Sequence, residues 1–252
     1  MTRTVSVVSG KGGVGKTTFS TNLALSLARR GKEVTLIDGD FSGANVSDHF
    51  GMEFSGATLN DVVKGDAYIT QSVYRHSPRL SVIPADLQDY DFDTGHLKHA
   101  VLEFLGEKDF LVIDGPPGAK APLKSVLESS NETVIVTEPV EASVKNASVI
   151  KMRAEEMGVD VSGVVLNKVF NDHLELSNSE VEELLDEKVI ATLPHRRHVR
   201  ESVVRGKPLV GYKPYSRVAK EINRVSYLLD GEEPPRENVL KQFRDGFLRL
   251  LD

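Results

Sequence analysis

The sequence predicts a doubly wound α/β fold: a mostly parallel sheet of about seven or eight strands with helices on both faces. Three observations predict it. Short apolar, β-branched runs alternate with longer stretches of helical period, the signature of βαβ units. The runs are apolar at consecutive positions, as strands covered from two sides are. The first run ends in a glycine-rich turn that leads directly into the first helical stretch.

In chain order, strands are expected at 4–9 (TVSVVS), 33–38 (EVTLID), 80–84 (LSVIP), 110–115 (FLVIDG), 133–138 (TVIVTE), 161–167 (VSGVVLN) and 188–194 (KVIATLP). Between and after them, apolar spacings of three and four predict helices at 17–30, 95–106, 142–157, 179–186, 197–205 and 215–229. Repeats and low-complexity tracts are absent. One segment, DGEEPPREN at 230–238, reads as a linker, because its paired prolines and acids support neither period. It divides the chain into an expected domain at 1–229 and an appendage at 239–252.

A chain of 252 residues, 40% hydrophobic and 27% charged, can form one large core without covalent staples. It has no cysteine, which removes disulfides, thiolate zinc sites, iron–sulfur ligation and cysteine nucleophiles together. The N-terminus enters a strand with no charged leader and cleavage site, and no apolar run approaches the roughly 18–20 residues of a spanning helix. A cytoplasmic location is expected. Net charge is −6, unevenly placed: nine basic residues against Glu201 and Glu221 make 195–224 a local +7 and leave −13 elsewhere.

The chemistry concentrates at Gly10–Thr17, G-K-G-G-V-G-K-T, a full match to G-x-x-x-x-G-K-[ST] between a strand and a helix. Glycines let successive N–H groups point at phosphate oxygens, and the following helix offers its positive end. Gly10, Lys11, Gly12, Gly13, Val14, Gly15, Lys16, Thr17 and Thr18 are the expected ATP-binding residues. Lys16 neutralises β and γ oxygens, and the Thr17 hydroxyl ligates Mg²⁺. Lys11 is a second lysine that the generic loop does not require.

The run KGGVGKTT resembles the deviant phosphate loop of the MinD/ParA family of dimerising ATPases. The resemblance implies that Lys11 reaches across a homodimer interface and completes the partner's site in the ATP state. It continues through LIDGDFSGANVSDHFG at 36–51, where Asp38 is implied near the metal and Asp40 as the residue that orients the attacking water. In FLVIDGPPGAKA at 110–121, Asp114 is implied on the Mg²⁺ side, with Gly115 and Gly118 beside the γ-phosphate. Asn167, ending GVVLN, matches the base-contacting position, and Pro194 occupies the place of a proline flanking the base. On this match Lys11, Lys16 and Asp40 are catalytic, and Thr17, Asp38 and Asp114 serve the metal. The matches span roughly residues 1–230.

Members of that family differ in what the dimer holds, and two readings stay open. A MinD-like ATPase for division-site selection or cellular positioning is suggested by 239–252, where Leu240, Phe243, Phe247 and Leu250 or Leu251 share one helical face. Lys241, Arg244 and Arg249 suit an anionic membrane, giving peripheral attachment to its inner face. The same face suits packing on protein. A ParA-like partition ATPase is suggested by the +7 segment, which suits DNA phosphates. An activator protein is expected in either case, since no arginine finger is evident. The pairs His96/His99 and His195/His198 have no carboxylate pattern for a metal site.

Overall fold

The computed structural model describes residues 2–41, 43–86, 96–104, 106–119 and 121–234. The appendage expected at 239–252 lies outside them. All seven expected strands form: β1 (Arg3–Ser9), β2 (Val34–Asp38), β4 (Leu80–Ile83), β5 (Phe110–Pro117), β6 (Glu132–Thr137), β7 (Asp160–Val169) and β8 (Val189–Pro194). An eighth, β3 (Tyr74–Ser77), was not expected. Its sequence YRHS has no apolar alternation, because it is an edge strand with no buried residue. The sheet order is β3-β4-β2-β5-β1-β6-β7-β8, and every neighbouring pair is parallel except β3 with β4.

Ten α-helices flank the sheet among the described residues: α1 (Lys16–Arg29), α2 (Val46–Phe50), α3 (Leu59–Lys64), α4 (Leu97–Leu102), α5 (Ala121–Glu128), α6 (Glu141–Glu156), α7 (Asn178–Leu185), α8 (Arg197–Val204), α9 (Leu209–Tyr212) and α10 (Arg217–Leu229). The six expected helices correspond to α1, α4, α6, α7, α8 and α10. Three of the missing four, α2, α3 and α9, are four to six residues long, too short to display a period. α5 follows closely on the run GPPG, which reads as a break in the sequence although its first three residues extend β5. α4 is shorter than the 95–106 expected.

Two cores result, one on each face of the sheet. α1, α2, α9 and α10 cover Val5, Val7, Leu36, Val112 and Val134. On the other face α3 to α7 cover Val8, Ile37, Ile113, Ile135 and Val164. Neighbouring positions on one strand thus enter opposite cores, which is why these strands read as continuous apolar runs. α1 also carries a tie at its C-terminal end: Arg30 lies over the Tyr227 ring and pairs with Asp230 at 2.7 Å, which holds the end of α10 against the phosphate-loop helix. Among the described residues no helix is long and apolar enough to cross a membrane.

Candidate nucleotide-binding site

The site forms where β1, β2 and β5 end, at the carboxyl edge of the parallel strands. The loop after β1 curls over this edge and delivers Lys16 and Thr17 as the first residues of α1. Two close approaches demand glycine. A Cβ on Gly10 would stand 2.4 Å from the Asn146 carbonyl carbon of α6, and one on Gly15, which has φ +94°, would stand 2.2 Å from Asn167 Nδ2. The loop is therefore wedged between α6 and the end of β7.

Beneath the loop, register places Asp38 of β2 directly opposite Asp114 of β5. Asp114 gathers three donors: Thr17 Oγ1 at 2.6 Å, Ser20 Oγ at 2.9 Å and Lys16 Nζ at 3.1 Å. Asp38 accepts from the backbone N–H groups of Asp40, Asn45 and Val46, at 3.2, 3.1 and 3.1 Å. Lys16 Nζ is 3.9 Å from Asp40 Oδ2, and both side chains are nearly excluded from solvent. A cavity of about 190 Å³ opens above them, its lining drawn from the loop, from Lys16 and Thr17, and from Asp40, Asn45, His49 and Pro117.

Burial, and then the neighbouring Asp114 carboxylate, push the Asp38 carboxyl up to about 7, against the opposing pull of the Val46 N–H and Lys16. In the unfolded chain this group titrates near 3.8. Folding favours its protonated form, so its stabilising contribution is complete below about 3.8 and is lost as pH rises through about 7. Asp38→Asn, uncharged throughout, escapes that loss. With a relief of roughly 1 kcal/mol, the nucleotide-free variant melts about 2–4 °C above wild type near pH 8 and gains nothing near pH 4. Equal gains at both pH values would show that carboxylate burial is not the cause.

The remaining expected residues sit around this centre. The Lys11 side chain is exposed at the loop's outer edge and makes no ion pair among the described residues; the Ser9 hydroxyl donates to its carbonyl at 3.0 Å. Asn167 Nδ2 donates to the Val14 carbonyl at 2.7 Å, which fastens the loop to β7. Pro194, buried at the end of β8, pairs in register with Val169 and does not line the cavity. Next to it, Phe170 stacks on His195 with ring centroids 4.6 Å apart.

Three side chains at this centre escaped the sequence reading. Ser20 stands one helical turn after Thr17, and its i+3 spacing from that residue was the available signal, shared with several polar neighbours in the run TTFSTN. Lys168 donates to the Gly13 carbonyl and pairs with Glu138 at 3.0 Å, a contact formed only by folding. His49 is buried against Thr21, with Nδ1 3.4 Å from the hydroxyl oxygen. Burial lowers its pKa, opposed by Asp114 and Asp48.

The donor set suits a small hard cation: a hydroxyl and two adjacent carboxylates, one of them driven toward neutrality by burial and then by its neighbour. A backbone loop of this kind, at this place in a doubly wound sheet, assigns the chain to the P-loop NTPases. Within that class it belongs to the ParA/MinD family: residues 1–229 match ParA, described as NUBPL iron-transfer P-loop NTPase. Iron transfer is what that description says of the family; this chain has no cysteine to ligate an iron–sulfur cluster.

Individual relatives agree. The chain is 31% identical over 243 residues to the uncharacterized ATP-binding protein MJ0169 of Methanocaldococcus jannaschii, covering 95% of this chain and 92% of that protein. It is 30% identical over 244 residues to the septum site-determining protein MinD of Synechocystis sp., covering 93% and 92%. Its fold is similar to that of the septum site-determining protein MinD complexed with Mg-ADP from Pyrococcus horikoshii OT3, with a TM-score of 0.87 and 29% identity over 91% of this chain and 96% of that one.

Proposed function

We propose that this protein is a Mg²⁺-dependent, MinD-like ATPase that dimerises on binding ATP and acts as a reversible, membrane-attaching switch in cellular positioning. The observation that carries the reading is the unequal state of the two loop lysines. Lys16 is buried between Asp114 and Asp40, whereas Lys11 stands in solvent with no carboxylate partner among the described residues. A cation left free beside a phosphate cavity is matched to phosphate held by another subunit.

Thr17, Asp38 and Asp114 are the residues that would hold Mg²⁺, which when bound neutralises charge between β and γ oxygens. The chain's own residues supply the rest. Loop N–H groups and Lys16 hold the phosphates, Asp40 orients a water from the cavity wall, and Lys11 stabilises charge on the partner's phosphates. Asn167 and Pro194 would border the base. Hydrolysis by one subunit alone is slow, because one of its cations is in the other.

Attachment is tested by co-sedimentation with anionic vesicles in ATP and in ADP, using the full chain and a chain ending at Pro234, which keeps the Arg30–Asp230 pair. The expected result is pelleting that needs both ATP and the last residues, with the truncated chain keeping its ATPase. Dimerisation doubles a weak anchor, so ATP and attachment are linked. No pelleting, together with ATP-dependent, salt-sensitive DNA binding, would instead favour a ParA-like partition role. Against that role, Arg197, Lys213 and Arg224 of the basic segment are engaged with Glu201 and Glu221.

A further inference from the structure

His49 has no place in the site as read from the sequence, yet it lines the cavity together with Lys16, Thr17 and Asp40. The element that carries it is fixed at both ends. At its start, the Asn45 and Val46 N–H groups donate to Asp38 Oδ2. Just past its end, Gly51 packs so tightly on Gly206 that a Cβ on Gly206 would lie 2.5 Å from the Gly51 Cα. His49 is therefore held at a set distance from the Asp38–Asp114 pair.

The hydrogen bonds select its tautomer. Thr21 has one hydroxyl proton, and the Thr17 carbonyl at 2.7 Å takes it. The Thr21 oxygen can then only accept from the imidazole, so Nδ1 carries the ring proton and Nε2 bears a lone pair. Among the described residues no donor meets Nε2. A neutral acceptor at this place repels phosphate oxygens, which are acceptors themselves. It needs a donor from the cavity. Lys16 Nζ, the charged donor among the lining residues, is directed to Asp114 and Asp40, which leaves water polarised by a cation.

We propose that His49 is a positioning residue that accepts, through Nε2, a hydrogen bond from a water in the coordination shell of the nucleotide-bound Mg²⁺. This rests on the proposed Mg²⁺–nucleotide site and adds a residue to it. Such outer contacts orient the shell and strengthen metal binding, and their loss costs about 10–100-fold in metal affinity.

The test is a Mg²⁺ titration at fixed concentration of a fluorescent ADP, for wild type, His49→Leu, His49→Gln and His49→Asn, with thermal melts of the nucleotide-free proteins. A glutamine amide oxygen reaches toward the Nε2 position, whereas asparagine reaches only that of Nδ1. His49→Leu and His49→Asn are expected to need about 10-fold more Mg²⁺ for half-saturation, and His49→Gln to stay within about 3-fold of wild type. ADP affinity in EDTA is expected to be the same for all four. Superimposable curves for wild type and His49→Leu would overturn the role of His49 alone, as would a loss of affinity that persists in EDTA. If wild-type ADP binding is indifferent to Mg²⁺, the underlying site assignment falls with it.

Discussion

Lys16→Ala loses productive nucleotide binding, with ATP affinity falling by about two to three orders of magnitude in calorimetry or fluorescence titration. The size follows from losing a charge-assisted contact with phosphate in a desolvated site, roughly 2–5 kcal/mol of binding. Lys16 contacts Asp114 at 3.1 Å and approaches Asp40 to 3.9 Å, above the buried Asp38. Its loss takes away the contact with phosphate and the ammonium that offsets these acids. Adding alkali should therefore destabilise the nucleotide-free variant more than wild type, since Lys16 opposes the upward push on Asp38. Unchanged ATP affinity in this variant would overturn the loop assignment.

Lys11→Ala gives the opposite pattern. Nucleotide affinity of the monomer stays within about 3-fold of wild type, because an exposed lysine with no ion pair among the described residues contributes little to its own site. ATP-dependent dimerisation, followed by light scattering on a sizing column, is lost. Turnover falls by about 10³-fold, the scale of a charge supplied in trans to phosphoryl transfer. A Lys11→Ala protein that still dimerised and hydrolysed at the wild-type rate would remove the cross-subunit role. The two lysines, five residues apart in one loop, are thus separable by whether binding or assembly fails.

The parts of this site readable in the sequence are those fixed by local pattern. The loop is a motif because its backbone must curl. Asp38 and Asp114 were readable because each closes a run of apolar residues, and parallel strands present their carboxyl ends to a ligand. What escaped depends on contacts between distant segments. Nothing around Lys168 in the sequence indicates that Gly13, more than 150 residues earlier, receives its ammonium. His49 lies in a five-residue helix with no legible period, and its role depends on a threonine in another helix. β3 escaped for a simpler reason: a polar edge strand lacks the apolar alternation by which strands are recognised.

The strand order has a consequence for how the chain is made. β1 is complete at Ser9, but the strands that flank it, β5 and β6, begin at Phe110 and end at Thr137. On a ribosome adding roughly 5–20 residues per second, Val5, Val7 and Val8 therefore wait for seconds without the partners that will bury them. The phosphate loop cannot be braced from beneath until Asp114 has emerged, nor from the side until Asn146 and Asn167 have. ATP can stabilise the finished domain, but it has nothing to grip on the nascent chain until well over half the protein has been synthesised.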